Sequence, residues 1–136
     1  MKLRYAVLCL LLLIACSNRN TPQAVTEDFI YNYYKLANQE AALLLSSGLA
    51  TEKLEAEIGR LQEVRVPGDP APEMPKIEYK QLGKETANEV ENVTHVLFNY
   101  QLIIKNRGGT TTHTRNVVIT TEDIDGQWKV VNFDEY

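Results

Sequence analysis

The sequence predicts an α+β domain in which N-terminal helices pack on one face of a curved four-stranded antiparallel meander. Two observations carry this. Apolar residues recur every three or four positions up to about residue 65, and every second position after Pro75. Between the two regimes lies VPGDPAPEMP, residues 66–75, which holds four of the five prolines and can be neither a helix interior nor a central strand. Helices first and sheet second is a layered α+β order.

The chain begins with Lys2 and Arg4, an apolar run from Tyr5 to Ala15, and Cys16. The run is about half of the ~20 residues that a membrane span needs. A basic start, a short apolar middle and a small residue at the break match a secretory leader. Leu13-Ile14-Ala15-Cys16 resembles the bacterial lipobox, in which cleavage precedes a cysteine that carries diacylglycerol. The resemblance implies removal of residues 1–15, lipid attachment at Cys16 and a short tether over 16–20, so that the membrane is a partner through the anchor. Several acyl chains hold firmly where one is marginal. Ser17 stands where an aspartate would mark inner-membrane retention, so the expected location is the cell envelope, on the periplasmic side of an outer membrane in a Gram-negative cell.

Processing alters the chemistry that remains. Cys9 leaves with the leader and Cys16 is consumed, which leaves no thiol for a disulfide, a metal or a redox step. Loss of Lys2 and Arg4 leaves 12 basic against 18 acidic residues, net −6. No basic cluster survives, which excludes a nucleic-acid footprint and adhesion to anionic lipid by charge. A single domain over residues 21–136 is long enough to stand on its core alone, burying over ~60% of its unfolded surface.

Thr21-Pro22 predicts the first helix, with Thr as N-cap and Pro at the first helical position. Val25, Phe29, Tyr33 and Leu36 form its stripe, widened by Ile30, Tyr34 and Ala37. Residues 38–47 predict a second helix with Gly48 as its C-cap. Thr51 is expected to cap a third, with Leu54, Ile58 and Leu61 inward and mostly charged residues outward. The proline segment is a stiff connector; as a recognition motif it lacks flanking basic residues.

Four strands come next, over 76–87, 93–105, 110–121 and 127–134. Tight turns at Asn106–Gly109 and at Asp125-Gly126 join the last three. In the second strand Val96, Phe98, Tyr100, Leu102 and Ile104 share the more apolar face, which is placed against the helices. A two-residue turn at Arg107-Gly108 or Gly108-Gly109 sets His113, Arg115, Val117 and Ile119 on that same face. Leu97, Ile103, Val118, Val131 and Phe133 are expected on the opposite one.

Amphipathic helices followed by a curved meander ending in Asp125-Gly126-Gln127-Trp128-Lys129-Val130 resemble the nuclear transport factor two-like superfamily. The nearest likeness is to small bacterial lipoproteins with lumazine-binding-like domains of unknown function. The resemblance covers about Thr21 to Asp134. It implies a cone-shaped fold whose sheet wraps the first helix and leaves a pocket at its wide end; Phe29, Tyr33, Tyr100, His113 and Arg115 are the candidate lining. Enzymes of this superfamily place acids, tyrosines or histidines inside the cone. An isomerase-like site needs a carboxylate base facing a tyrosine donor. Where those isomerases carry the base, this chain reads Leu43 to Ala50, and Glu40 and Asp134 are substitutes without positional support. No catalytic residue is therefore assigned.

His95 and His113 fall too far apart along the sheet to share an ion, so no metal site is assigned, and no cofactor is expected. Arg115 beside His113 suits either an anionic ligand or an ion pair with a glutamate. Glu89–Glu91 and Glu122–Asp125 read as solvated turns without a calcium loop's spacing. The leading expectation is a lipid-anchored, non-catalytic binding or interaction domain of the envelope, taking a small ligand in the cone or an envelope protein. Two alternatives stay open. One is a protein-interaction or dimerisation module using the sheet face with Leu97, Ile103, Val118, Val131 and Phe133. The other is a small isomerase- or dehydratase-like enzyme.

Overall fold

The computed structural model describes residues 18–88 and 93–136; the expected leader, Cys16 and the expected turn at Glu89–Glu91 lie outside them. Among the described residues, three helices precede a four-stranded antiparallel sheet of order β1-β2-β3-β4, which is not closed into a barrel. No helix among the described residues is long and apolar enough to cross a membrane.

Helix α1 spans Pro22–Ile30 and starts where its sequence signals place it. The Thr21 hydroxyl accepts the Ala24 amide at 3.1 Å, and Pro22 occupies a position that needs no N–H. The helix then passes into a π-helical turn, Tyr31–Lys35, in which Leu36 N donates to Tyr31 O at 3.0 Å across five residues. The extra residue in this turn rotates the side chains beyond it around the helix axis. Val25, Phe29 and Ile30 are buried as the stripe demands, but Tyr34 is buried next, while Tyr33 is half-buried and Leu36 is 49% exposed. Ala37 ends the turn in left-handed backbone at φ 48°.

Helix α2 spans only Gln39–Leu44, capped by Asn38, whose Oδ1 accepts the Ala41 amide at 3.0 Å. It stops short of the expected Ser47 because the next residues pair with the sheet edge. Val130 N donates to Leu45 O and Ser47 N to Val130 O, both at 2.9 Å. Gly48, at φ 54°, opens α3, Gly48–Val64, three residues ahead of the expected Thr51 cap. The Thr51 hydroxyl lies 3.1 Å from Ser46 Oγ instead.

Strands β1 (Lys76–Asn88), β2 (Thr94–Lys105), β3 (Thr112–Ile124) and β4 (Gln127–Glu135) track the alternation in the sequence closely. Lys105 faces Thr112 and Ile104 faces His113, the register expected of a Gly108-Gly109 turn. The turn itself centres on Arg107-Gly108, with Gly109 N donating to Asn106 O at 3.3 Å, inside a longer loop closed by Asn106 N to Thr111 O. Asp125 and Gly126 both take positive φ, as a tight two-residue hairpin turn requires. The inner face therefore carries Val96, Phe98, Tyr100, Leu102, Val117 and Ile119, each at most 4% exposed, packed on Val25, Phe29 and Ile30.

One expected face is corrected. Thr120 pairs with Asn132 but Thr121 pairs with Val130, so Val131 is an extra, bulged residue. A one-residue bulge reverses which side every later residue faces. Phe133 consequently lies across from Ile119, 7% exposed, with its ring 5.2 Å from Phe29 and 5.1 Å from Tyr33. Without the bulge it would sit beside Val118 on the outer face, where the alternation alone places it.

Candidate functional site

The first half of α3 packs on the sheet through Ala50 and Leu54, both fully buried. Its second half outruns the sheet. From Gly59 to Met74 every residue is exposed, and among them Leu61 is 39%, Val64 74% and Val66 58% exposed. A cleft of about 340 Å³ separates this helix end from the turn after α1: Leu36 and Ala37 on one wall, Ile58, Leu61 and Arg65 on the other. A second cleft of about 510 Å³ continues from Leu61 and Arg65 along Val66 to Pro72. The two meet at Leu61 and Arg65 and form one shoulder, mostly polar in the first cleft, where Gln39, Glu40 and Gln62 line it, and mostly apolar in the second.

A polar cluster ties the walls together. Glu57, one turn before Leu61, accepts the Tyr33 hydroxyl at 2.7 Å and the Gln39 side-chain amide at 3.2 Å. Burial, and then the hydrogen bond to the Glu57 carboxylate, raises the Tyr33 pKa well above the ordinary phenol value. Tyr34 is raised further, by burial first and by the nearby Glu135 charge second. The cluster thus holds two protonated phenols beside carboxylates. Such a pair can donate a hydrogen bond or take a proton from a group lodged against it.

The candidate cone residues fall elsewhere. Phe29 and Tyr100 are core side chains, 0% and 2% exposed, and Phe29 and Tyr33 stack at 5.6 Å between ring centres. Tyr100 hydrogen-bonds Gln23 at 3.1 Å and Gln81 at 3.2 Å, and burial pushes its pKa to about 12. His113 is exposed at the sheet end, nine strand positions from Glu122, the residue that faces His95. Arg115 donates to Glu135 at 2.6 Å, so of the two roles its position suits it takes the ion pair. None of these five lines the clefts of the shoulder. His95 lies on the outer face, 2.9 Å from Glu122.

The outer sheet face carries Leu97, Ile103, Val118 and Val131 half-buried among Asn99, Gln101 and Asn116, without Phe133. Of the two substitute acids, Asp134 is held below the usual carboxylate range by Lys53, and Glu40 is exposed at the cleft. Cys16 lies outside the described residues. Nothing in the sequence pattern singles out Glu57, Gln39 or the Leu61–Val66 run. The signal available is an α3 stripe that continues past the last turn a short sheet can cover. No group of three or more His, Cys, Asp or Glu side chains that could hold a metal occurs among the described residues.

At the opposite end of the domain, Asn20 is clasped by the β3–β4 hairpin. Its Nδ2 donates to Gly126 O at 2.7 Å, and its Oδ1 accepts the Trp128 amide at 2.9 Å. Arg19 pairs with Asp28, and Asn18 Oδ1 accepts the Asn20 amide at 3.0 Å.

No family model matches the chain, and no characterised protein or solved structure matches it either.

Proposed function

We propose that the protein is a non-catalytic interaction domain of the cell envelope, anchored by lipid at Cys16, that engages an envelope protein through the α3 shoulder. The observation that carries this reading is the exposure of Leu61, Val64 and Val66 along two joined clefts. Contiguous exposed apolar surface rimmed by polar groups is the anatomy of a protein interface. Its charge sets the partner's chemistry. Residues 55–73 carry five carboxylates against two arginines, so the fitting surface is an apolar patch bordered by basic side chains. The shoulder favours this reading over a ligand within the cone, where aromatic rings of α1 and β4 stack on each other, and over the more polar outer sheet face.

The test is site-specific photo-crosslinking in cells, from position 64 and from position 80 on β1 as control. A discrete heteromeric adduct is expected from 64 alone, weakened by raised salt and lost when Leu61→Lys is added to the chain that carries the crosslinker at 64. Adducts of equal yield from both positions, or none from 64, would overturn the reading, and an adduct of twice the chain mass would replace the envelope partner with a second copy.

A second reading, a small isomerase- or dehydratase-like enzyme, draws on the Tyr33–Glu57 pair at 2.7 Å. It requires that Glu57→Gln abolish turnover of a carbonyl or hydroxyl substrate while thermal stability stays within a few degrees. An unchanged rate removes it.

A further inference from the structure

The clasp at Asn20 bears on how the domain meets the membrane. A short polar tether left to itself samples many directions. Here three consecutive residues are fixed. Asn18 and Asn20 close a turn, Arg19 is paired to α1 through Asp28, and the Asn20 side chain supplies both a donor and an acceptor to the hairpin backbone. Trp128 N and Gly126 O are backbone groups at the hairpin end, so the amide completes the pairing there as a further strand residue would.

Ser17 and Asn18 alone separate Cys16 from Arg19, the first residue paired to the domain. Four peptide units from Cys16 to Asn20 reach at most ~14 Å. The point where the chain leaves the described structure thus lies close to the hairpin turn. We infer that the β3–β4 hairpin end is the bilayer-facing surface of the domain, held there by Asn20, with the α3 shoulder presented away from the lipid. The inference rests on the proposed anchor at Cys16.

Charge does not supply this orientation. Asp123 and Asp125 at the turn offset Arg19 and Lys129 beside it, so that end has no basic cluster to draw it to an anionic surface. The helices carry the direction onward. Helix α1 leaves the clasp toward Phe133 and Glu135, and α3 runs the same way, since Gly48 abuts Val131 while Lys53 reaches Phe133 O and Asp134. A 17-residue helix extends about 25 Å. Val64 stands near the end of that length, and Gln127 lies on β4 four residues before Val131, which Gly48 abuts at its start. The bilayer is thereby excluded as the occupant of the shoulder.

The experiment uses the acylated full chain in phosphatidylcholine vesicles containing a headgroup-linked quencher. A fluorophore is placed through Gln127→Cys or Val64→Cys, and the acyl mass is verified on each. Quenching several-fold stronger at 127 than at 64 is expected, with the contrast reduced by Asn20→Ala. Equal quenching at both positions in an acylated chain overturns the orientation and leaves the anchor standing. A chain without acyl mass that does not float with the vesicles overturns both. Contrast unchanged by Asn20→Ala overturns the role of the clasp.

Discussion

Ala37 holds φ 48°, a backbone conformation that costs an L-residue roughly 1–2 kcal/mol. It does so on the wall of the cleft, directly after the π-helical turn. Glycine takes this conformation freely but loses about 0.5–1 kcal/mol to its larger unfolded-state entropy. Ala37→Gly should therefore stabilise by up to about 1 kcal/mol, a rise in Tm of a few degrees in a thermal melt. A lower Tm would show that the alanine methyl packs for something. The tyrosines give a second prediction. Burial raises Tyr33, Tyr34 and Tyr100, the last to about 12, above a free-chain value of about 10. Below pH ~10 both folded and unfolded chains keep these protons, so stability is indifferent to them. Above it the unfolded chain releases protons that the fold retains, and stability should fall as pH rises toward 12. Tyrosinate absorbance monitored with far-ultraviolet dichroism should show a late step that coincides with unfolding.

Helix α3 serves two purposes along one stretch of chain. Leu54→Ala, in its buried half, should cost about 2–5 kcal/mol in urea denaturation. Val64→Lys, in its exposed half, should change stability by no more than about 0.5 kcal/mol, since a lysine at a helix C-terminus also suits the dipole. This division of labour also bounds how much of the fold is legible in the sequence. The strands and the β2–β3 register can be read because alternation and the glycine-bearing loop at 106–109 act locally. The π-turn at Tyr31 and the bulge at Val131 cannot, because each inserts one residue without a glycine or proline to mark it. Each then shifts which side the later residues face, so Leu36 leaves the core while Tyr34 of the widened stripe stays in it, and Phe133 joins it. The shoulder is hidden for another reason. Leu61 continues a regular stripe, and only the length of the sheet decides that nothing covers it.

At the scale of the whole molecule, the sheet has two edges handled differently. Strand β4 is closed by Leu45–Ser47 and by Lys53, whose ammonium donates to Asn132 Oδ1, Phe133 O and Asp134 Oδ1, each at 2.8 Å. Strand β1 is left as the open edge and carries Lys76, Lys80 and Lys84 with a bulge at Leu82, features that discourage pairing with another sheet. Asp134 is held low by the Lys53 hydrogen bond, so this plug stabilises above pH ~4 and is lost as pH falls through the depressed value. The pair is exposed, so the effect is about 0–1 kcal/mol. Lys53→Met should flatten the acid side of a stability-versus-pH curve by that much.

The Asn20 clasp joins residues 106 and 108 positions apart. A chain made from its N-terminus offers Asn20 first and its partners almost last. Until the β3–β4 hairpin has emerged, the segment beside Cys16 has only the exposed Arg19–Asp28 pair to hold it to the helices. The clasp therefore acts as a seal on completion: its closure reports that the final hairpin is in place, and any product cut short before Trp128 stays open at Asn20.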